Sequence, residues 1–276
     1  MQNTFPIWVN EQEKTSISVN DRAVAYGDGL FETIRVSPKP VLDSYHFERL
    51  ESGAEALGIP VRLDRVRESF ERYADAYDPG IIKILVSRGV GGRGYLPPDS
   101  PDPVVVIQGF ELPDYPQENY SPGIRLYRCE TPITVNPRLQ GIKHLNRLEQ
   151  VLARQEFAQG NYQEGIMSLL DGALLECTMS NLLWIKQQTL FTTPLDKQAV
   201  NGTMQRYLIE HCVGSTGYVE TKSDLTIKDL LAADDVFVCN SVFGVWPVRS
   251  VMDQELSQSK SDLMLQIQQQ VHSLLS

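Results

Sequence analysis

Cysteine and histidine are scarce in this chain, with 4 of each in 276 residues. Cys129, Cys177, Cys212 and Cys239 lie far apart and make no C-x-x-C pair. That argues against a disulfide framework and reads as reduced thiols in a cytoplasmic protein. His46, His144, His211 and His272 show no H-x-x-x-H spacing, so no zinc site is expected. Long apolar runs are missing too. The most apolar stretch, 169–185, is broken by Asp171, Glu176, Ser180 and Asn181, whereas a spanning helix needs about 20 apolar residues. The opening residues lack a basic segment followed by an apolar core, so no secretory signal is expected. Basic residues are in deficit, 25 against 35 acidic ones, for a net charge of −10. This disfavours non-specific binding to nucleic acid or to an anionic membrane. It leaves room for an anionic small substrate, provided a local basic pocket overrides the global field.

What is present is ordinary globular material, 42% hydrophobic and 22% charged, with 19 Gly and 16 Pro. One or two domains are expected, with a core large enough to need no metal or disulfide. Trp8–Asn10 leads into a hairpin. The loop from Asp21 to Gly29 feeds a strand over Leu30–Val36. Phe47, Leu50, Ala54 and Leu57 recur at helical spacing, as do Val66, Phe70 and Tyr73, so helices are predicted over 46–57 and 63–77. Strands follow at 81–86 and 104–108. Three prolines and a closing glycine make 112–123 the best linker. Beyond it come strand 124–129, helix 144–157, strands 164–171, 182–185 and 190–193, a helix from Thr203 to about Cys212, strand 236–238 and a helix over 260–275. The predicted fold class is α/β with mixed sheets, as an N-terminal domain 1–111, a linker 112–123 and a C-terminal domain 124–276.

Several local patterns carry chemistry, each beside a plainer reading. Gly89-Val-Gly-Gly-Arg-Gly94 matches G-x-G-x-x-G after a strand, but Tyr95-Leu-Pro-Pro-Asp-Ser-Pro cannot open the helix that a dinucleotide needs. A loop presenting Arg93 and Tyr95 fits better; a structural glycine loop is the alternative. Lys143 precedes a helix whose buried stripe is predicted to be Leu145, Leu148 and Leu152. Periodicity alone fits a surface charge, whereas a buried lysine has a lowered pKa and can form a Schiff base. Glu176 stands alone in an apolar run, either exposed at an edge or partnered by a cation. Asn201-Gly202-Thr203 opens a helix and is either a simple cap or a phosphate site. Cys239-Asn240-Ser241 is a second strand-end loop rich in donors.

Taken in order, these pieces resemble the fold-type IV, class IV aminotransferase-like, pyridoxal-phosphate enzymes nearly end to end. Asp21-Arg22 with Tyr26-Gly-Asp-Gly-Leu-Phe-Glu32 is similar to the N-terminal signature, and His46-Phe-Glu-Arg49-Leu50 to the H-x-x-R-L helix. Lys143 matches the Schiff-base lysine, Glu176 to Asn181 the E-x-x-x-x-N block, and Gly202 and Asn240-Ser241 the phosphate turns. Within that family, Ser87–Tyr95 and Gly141–Val151 resemble the bacterial aminodeoxychorismate lyases. Thr203 departs from lyases that carry an aliphatic residue there, which questions only a side-chain role for it. The resemblance implies pyridoxal 5'-phosphate held by Lys143, Arg49, Glu176, Asn181, Gly202, Thr203, Asn240 and Ser241. It implies catalysis by Lys143 with Thr33 as relay or positioning group, and substrate contacts from Phe31, Arg93 and Tyr95. The expected reaction converts 4-amino-4-deoxychorismate to 4-aminobenzoate and pyruvate, within folate biosynthesis. The second expectation is transamination of D-amino or branched-chain amino acids. A cytoplasmic homodimer with a small-molecule substrate, and no nucleic acid or membrane partner, completes the implied picture.

Overall fold

A computed structural model describes residues 5–134, 136–194, 197, 199–213, 218–221, 224–256 and 261–276. The chain forms two compact units: Met1–Pro113 with Ile142–Asn146, and Asp114–Gly141 with Arg147–Ser276.

The first unit is built on strict strand alternation. In β3 (Gly29–Arg35), Leu30, Glu32 and Ile34 are buried while Phe31, Thr33 and Arg35 are half-exposed. It pairs with β4 (Ile81–Ser87), and β4 with β5 (Val104–Phe110). A hairpin of β1 (Ile7–Val9) and β2 (Gln12–Glu13) completes a five-stranded sheet of order β2-β1-β5-β4-β3. Every pairing in it is antiparallel, so mixed pairing is confined to the second unit. A short helix α1 (Arg22–Tyr26) lies in the loop before β3, capped by the Asp21 carboxylate and closed by left-handed Gly27. Helices α2 (Asp43–Leu57) and α3 (Leu63–Tyr77) follow β3, burying Phe47, Leu50, Val66, Phe70 and Tyr73 as their spacing predicts.

The second unit carries a nine-stranded mixed sheet. Its strands are β6 (Ile124–Arg128), β7 (Glu164–Ser168), β8 (Leu174–Cys177), β9 (Asn181–Lys186), β10 (Thr189–Thr192), β11 (Tyr218–Thr221), β12 (Asp235–Asn240), β13 (Gly244–Val251) and β14 (Gln254–Glu255). β6 runs parallel to both β7 and β13, and β10 parallel to β11. Helices α4 (Leu148–Glu156), α5 (Thr203–Tyr207), α6 (Ile227–Leu231) and α7 (Asp262–Leu275) accompany it, with a π-helical turn at Leu208–Val213 after α5. Lys260 lies outside the described residues; α7 buries Leu263, Met264, Ile267 and Val271 and exposes Gln266, Gln269 and Gln270. Trp246 stacks on Phe243 at 3.8 Å between centroids, and Tyr115 meets Trp246 edge-on at 4.9 Å. Tyr115 and Tyr120, from the proline-rich stretch, thus pack on the second unit's core.

One correction concerns the helix predicted over 144–157. The helix expected from His144 begins at Leu148, because His144 bridges Leu30 of β3 in extended conformation. The expected buried stripe fails with it. Leu148 is 77% exposed and Leu152 is also exposed; Gln150 and Ala153 face inward instead.

Candidate active site

In the first unit, Lys143 is placed by the backbone. Its carbonyl accepts from the Phe31 N–H at 3.0 Å, and the Leu145 N–H donates to the Gly29 carbonyl at 3.0 Å. Residues 143–145 therefore lie as a short extra strand along β3. Lys143 Nζ lies 4.6 Å from the centre of the Phe31 ring. Lys83 Nζ lies 5.3 Å from the same ring, and Lys83 stands directly opposite Thr33 in the β3–β4 register. Phe31, Thr33 and Lys83 thus share one face of the sheet, and an aromatic ring carries two ammonium groups. Lys83 was not found from sequence. A lysine between Ile82 and Ile84 looks like the solvent side of an alternating strand.

The other face of β3 holds a buried ionic group. Glu32 is 1% exposed and sits between two residues of α2. Arg49 donates through Nε to Oε1 at 2.8 Å and through Nη2 to Oε2 at 2.6 Å; His46 Nδ1 is 2.6 Å from Oε2. His46 and Arg49 are three positions apart, so both meet one carboxylate. Burial alone would raise the Glu32 pKa, but the charges and hydrogen bonds of Arg49 and His46 overcome it and hold the carboxyl at about 2. Burial pushes the His46 imidazole down; Glu32 opposes this, while the Arg49 and Lys143 charges reinforce it. Arg49 thus gives its Nε/Nη2 fork to Glu32.

Arg93 and Tyr95 stand on the loop that follows β4, where Tyr95 is 85% exposed with its ring 5.5 Å from that of Tyr26.

In the second unit, Glu176 on β8 is buried, against the exposed-edge alternative. Its Oε2 accepts from the amides of Ala199 and Val200 at 3.1 and 3.2 Å. Asn181 donates to the Val200 carbonyl at 3.1 Å. Both ends of the E-x-x-x-x-N block are therefore tied to the segment that leads into Gly202. Gly202 caps α5, and Thr203 opens it, both buried. A Cβ on Gly202 would stand 1.8 Å from Asn181 Oδ1, so only glycine fits this turn. Asn240 Oδ1 accepts from the amides of Val242 and Phe243 at 2.9 and 3.0 Å, shaping the turn that carries buried Ser241. Its Nδ2 donates to the Met179 carbonyl at 3.2 Å.

Beneath this cluster is a residue that sequence reasoning missed. Glu164, fully buried at the start of β7, accepts from the Ser180 hydroxyl at 2.8 Å, from the Thr178 hydroxyl, and from the Gly165 amide at 2.9 Å. Arg154 approaches to 3.7 Å. Burial raises the Glu164 pKa against these donors. The carboxylate fastens the loop between Glu176 and Asn181, and nothing in its local sequence separates it from a surface glutamate.

Among the described residues there is no grouping of His, Cys, Asp and Glu able to hold a metal ion. Taken unit by unit, these are groups suited to an aldehyde, a phosphate and a ring nitrogen. The first unit offers a half-buried amine and a buried guanidinium. The second offers a buried carboxylate and a glycine turn that leaves room where a side chain would fill it.

Comparison with known proteins gives the same direction. Residues 29–251 match the amino-transferase class IV family. An aminodeoxychorismate lyase of Vibrio harveyi is 38% identical over 251 residues, covering 90% of this chain and 92% of its own. The crystal structure of 4-amino-4-deoxychorismate lyase from Pseudomonas aeruginosa superposes with a TM-score of 0.92 at 37% identity, covering 97% of this chain and 98% of that one. The Escherichia coli branched-chain amino acid aminotransferase follows with a TM-score of 0.87 at 26% identity, covering 99% and 95%. The chain belongs to the class IV aminotransferase family of fold-type IV, pyridoxal-phosphate-dependent enzymes.

Proposed function

We propose that this protein is an aminodeoxychorismate lyase, converting 4-amino-4-deoxychorismate to 4-aminobenzoate and pyruvate and so supplying the aromatic part of folate. The observation that carries this reading is end-to-end similarity to two lyases at 38% and 37% identity, against 26% for the branched-chain aminotransferase.

Bound pyridoxal phosphate supplies an electron sink for the pair released when a C–H bond beside the substrate nitrogen breaks. The chain supplies the rest. Lys143 Nζ is the attachment point for the cofactor aldehyde. Freed by the substrate amine, the Lys143 amine would take the proton from the ring carbon bearing nitrogen and return one to the departing enolpyruvate. Glu176 would keep the cofactor ring nitrogen protonated, and Asn181 supports the turn that leads into Gly202. Arg49, oriented by Glu32, provides positive charge for the phosphate, and the Gly202–Thr203 and Asn240–Ser241 turns provide donors. The substrate carries two carboxylates. Lys83, beside Phe31 and Thr33, is one cation for them, and Arg93 with Tyr95 is the other group. Thr33 positions the substrate or relays a proton.

The direct test supplies cofactor-loaded protein with fresh 4-amino-4-deoxychorismate and no amino donor or acceptor. Equal amounts of 4-aminobenzoate and pyruvate are expected. Neither product, together with conversion of the cofactor to its amine form by D-alanine or a branched-chain amino acid, would move the function to transamination.

The protein is also read as a homodimer. Support comes from α4, where Leu148, Val151 and Leu152 form an exposed apolar stripe at i, i+3 and i+4. Sedimentation equilibrium is expected to give twice the 31.1 kDa chain mass. A single-chain mass at micromolar concentration would refute it. A cytoplasmic location agrees with the free, buried thiols of Cys129, Cys177 and Cys239. Recovery in an osmotic-shock fraction would contradict that. No helix among the described residues is long and apolar enough to cross a membrane.

A further inference from the structure

The loop Gly91–Leu96 contains three glycines and is followed by Pro97 and Pro98. Its ring-bearing tip is exposed, so burial does little to fix its shape. A side chain does so instead. Arg22, 4% exposed, donates through Nη2 to the Tyr95 carbonyl at 2.9 Å and through Nη1 to those of Gly94 and Leu96 at 3.2 and 3.4 Å. Its Nε donates to Asp28 Oδ2 at 2.7 Å. Arg88 also grips Asp28, through Nε to the same Oδ2 at 2.8 Å and Nη2 to Oδ1 at 3.0 Å, and donates to the carbonyls of Leu57 and Gly58, both at 2.7 Å, where α2 ends. A polar chain therefore runs from the end of α2 through Arg88, Asp28 and Arg22 to three consecutive loop carbonyls.

The stem of the loop is stitched to the same place. The Arg22 amide donates to the Gly89 carbonyl at 2.9 Å, and Asp21 bridges Val90. Gly91 packs on the Arg22 side chain so closely that a Cβ there would lie 2.8 Å from Arg22 Cδ. The Tyr26 ring covers the guanidinium at 4.8 Å. Only a planar fork can meet a carboxylate and three carbonyls at once; a lysine ammonium keeps its charge near Asp28 but offers its donors from a single point.

We propose that Arg22 is a positioning residue that sets the shape of the Gly91–Leu96 loop and thereby the presentation of Arg93 and Tyr95 to the carboxylate-bearing substrate. The substrate half of this statement rests on the lyase reading; the loop half does not. The test uses the cofactor-loaded protein and its Arg22→Lys variant. Wild-type protein is expected to resist trypsin at the Arg93–Gly94 bond, although Arg93 is exposed. In the variant, cleavage there is expected to accelerate about tenfold, with KM for 4-amino-4-deoxychorismate raised about tenfold, the size of a few lost charge-assisted hydrogen bonds. The expected kcat stays within about threefold and the lysine-bound cofactor absorbance is unchanged, since Arg22 touches neither the cofactor residues nor Lys143.

Unchanged cleavage and unchanged KM in a folded variant overturn the proposal. So does wild-type cleavage after Arg93 as fast as in a free peptide of the same sequence, a measurement that needs no variant to fold. Faster cleavage in the variant, alongside a wild type that forms no 4-aminobenzoate, supports the holding of the loop and counts against the lyase reading alone.

Discussion

Lys143→Ala is expected to remove the visible absorbance of the lysine-bound cofactor and to lower turnover by roughly 10²–10⁴-fold or more, the range for loss of a positioned acid–base group. The fold should survive. Residues 143–145 are held to β3 by main-chain hydrogen bonds at Phe31 and Leu145 that alanine keeps. The side chain is only half-buried and leaves a modest gap over the Phe31 ring. Absorbance titration with pyridoxal phosphate and product assay on the same sample read the two losses together. A variant that retained both absorbance and turnover would end the assignment of Lys143.

Glu32→Gln is expected to cost about 3–5 kcal/mol of stability, because it strands a buried guanidinium without its counter-charge. Urea titration of the cofactor-free protein measures this. Its pH dependence has a definite sign. The Glu32 carboxyl sits at about 2 in the folded chain against an ordinary 4.5. Its contribution, about 3 kcal/mol, is therefore fully present above pH 4.5 and lost as pH falls toward 2. The variant should lose the corresponding part of the wild-type acid slope between those values. Identical acid slopes in the two proteins would show that Glu32 is not ionised against Arg49. The double change Glu32→Met with Arg49→Met should recover much of the stability, while leaving no cation for a phosphate.

Much of the fold could be read from the sequence wherever one period dominates. Helix α3 occupies the predicted 63–77, since Val66, Phe70 and Tyr73 mark a single buried stripe. Helix α4 starts later than its pattern predicts because Leu145, Leu148 and Leu152 recur at helical spacing, yet His144 pairs with Leu30 of β3. β13 was missed because Pro247 interrupts its apolar run, although it pairs with Phe237 of β12. In the site, Lys143, Arg49, Glu176 and Gly202 stand in recognisable motifs. Glu32 stands in the signature without any sign of its role, which lies in Arg49, 17 positions away. Lys83 and Glu164 are equally silent. A charge in an alternating strand looks solvated until the residue opposite it in the folded sheet is known.

The short strand at 143–145 has a consequence for synthesis of the chain. Translation delivers the first 113 residues well before the segment that closes their sheet. Until some thirty further residues leave the ribosome, β3 presents an open hydrogen-bonding edge, with Phe31 beside it. Open edges recruit strands from other chains. The amine proposed to hold the cofactor is thus delivered by the same stretch that blunts this edge, so a truncation at residue 113 removes both at once.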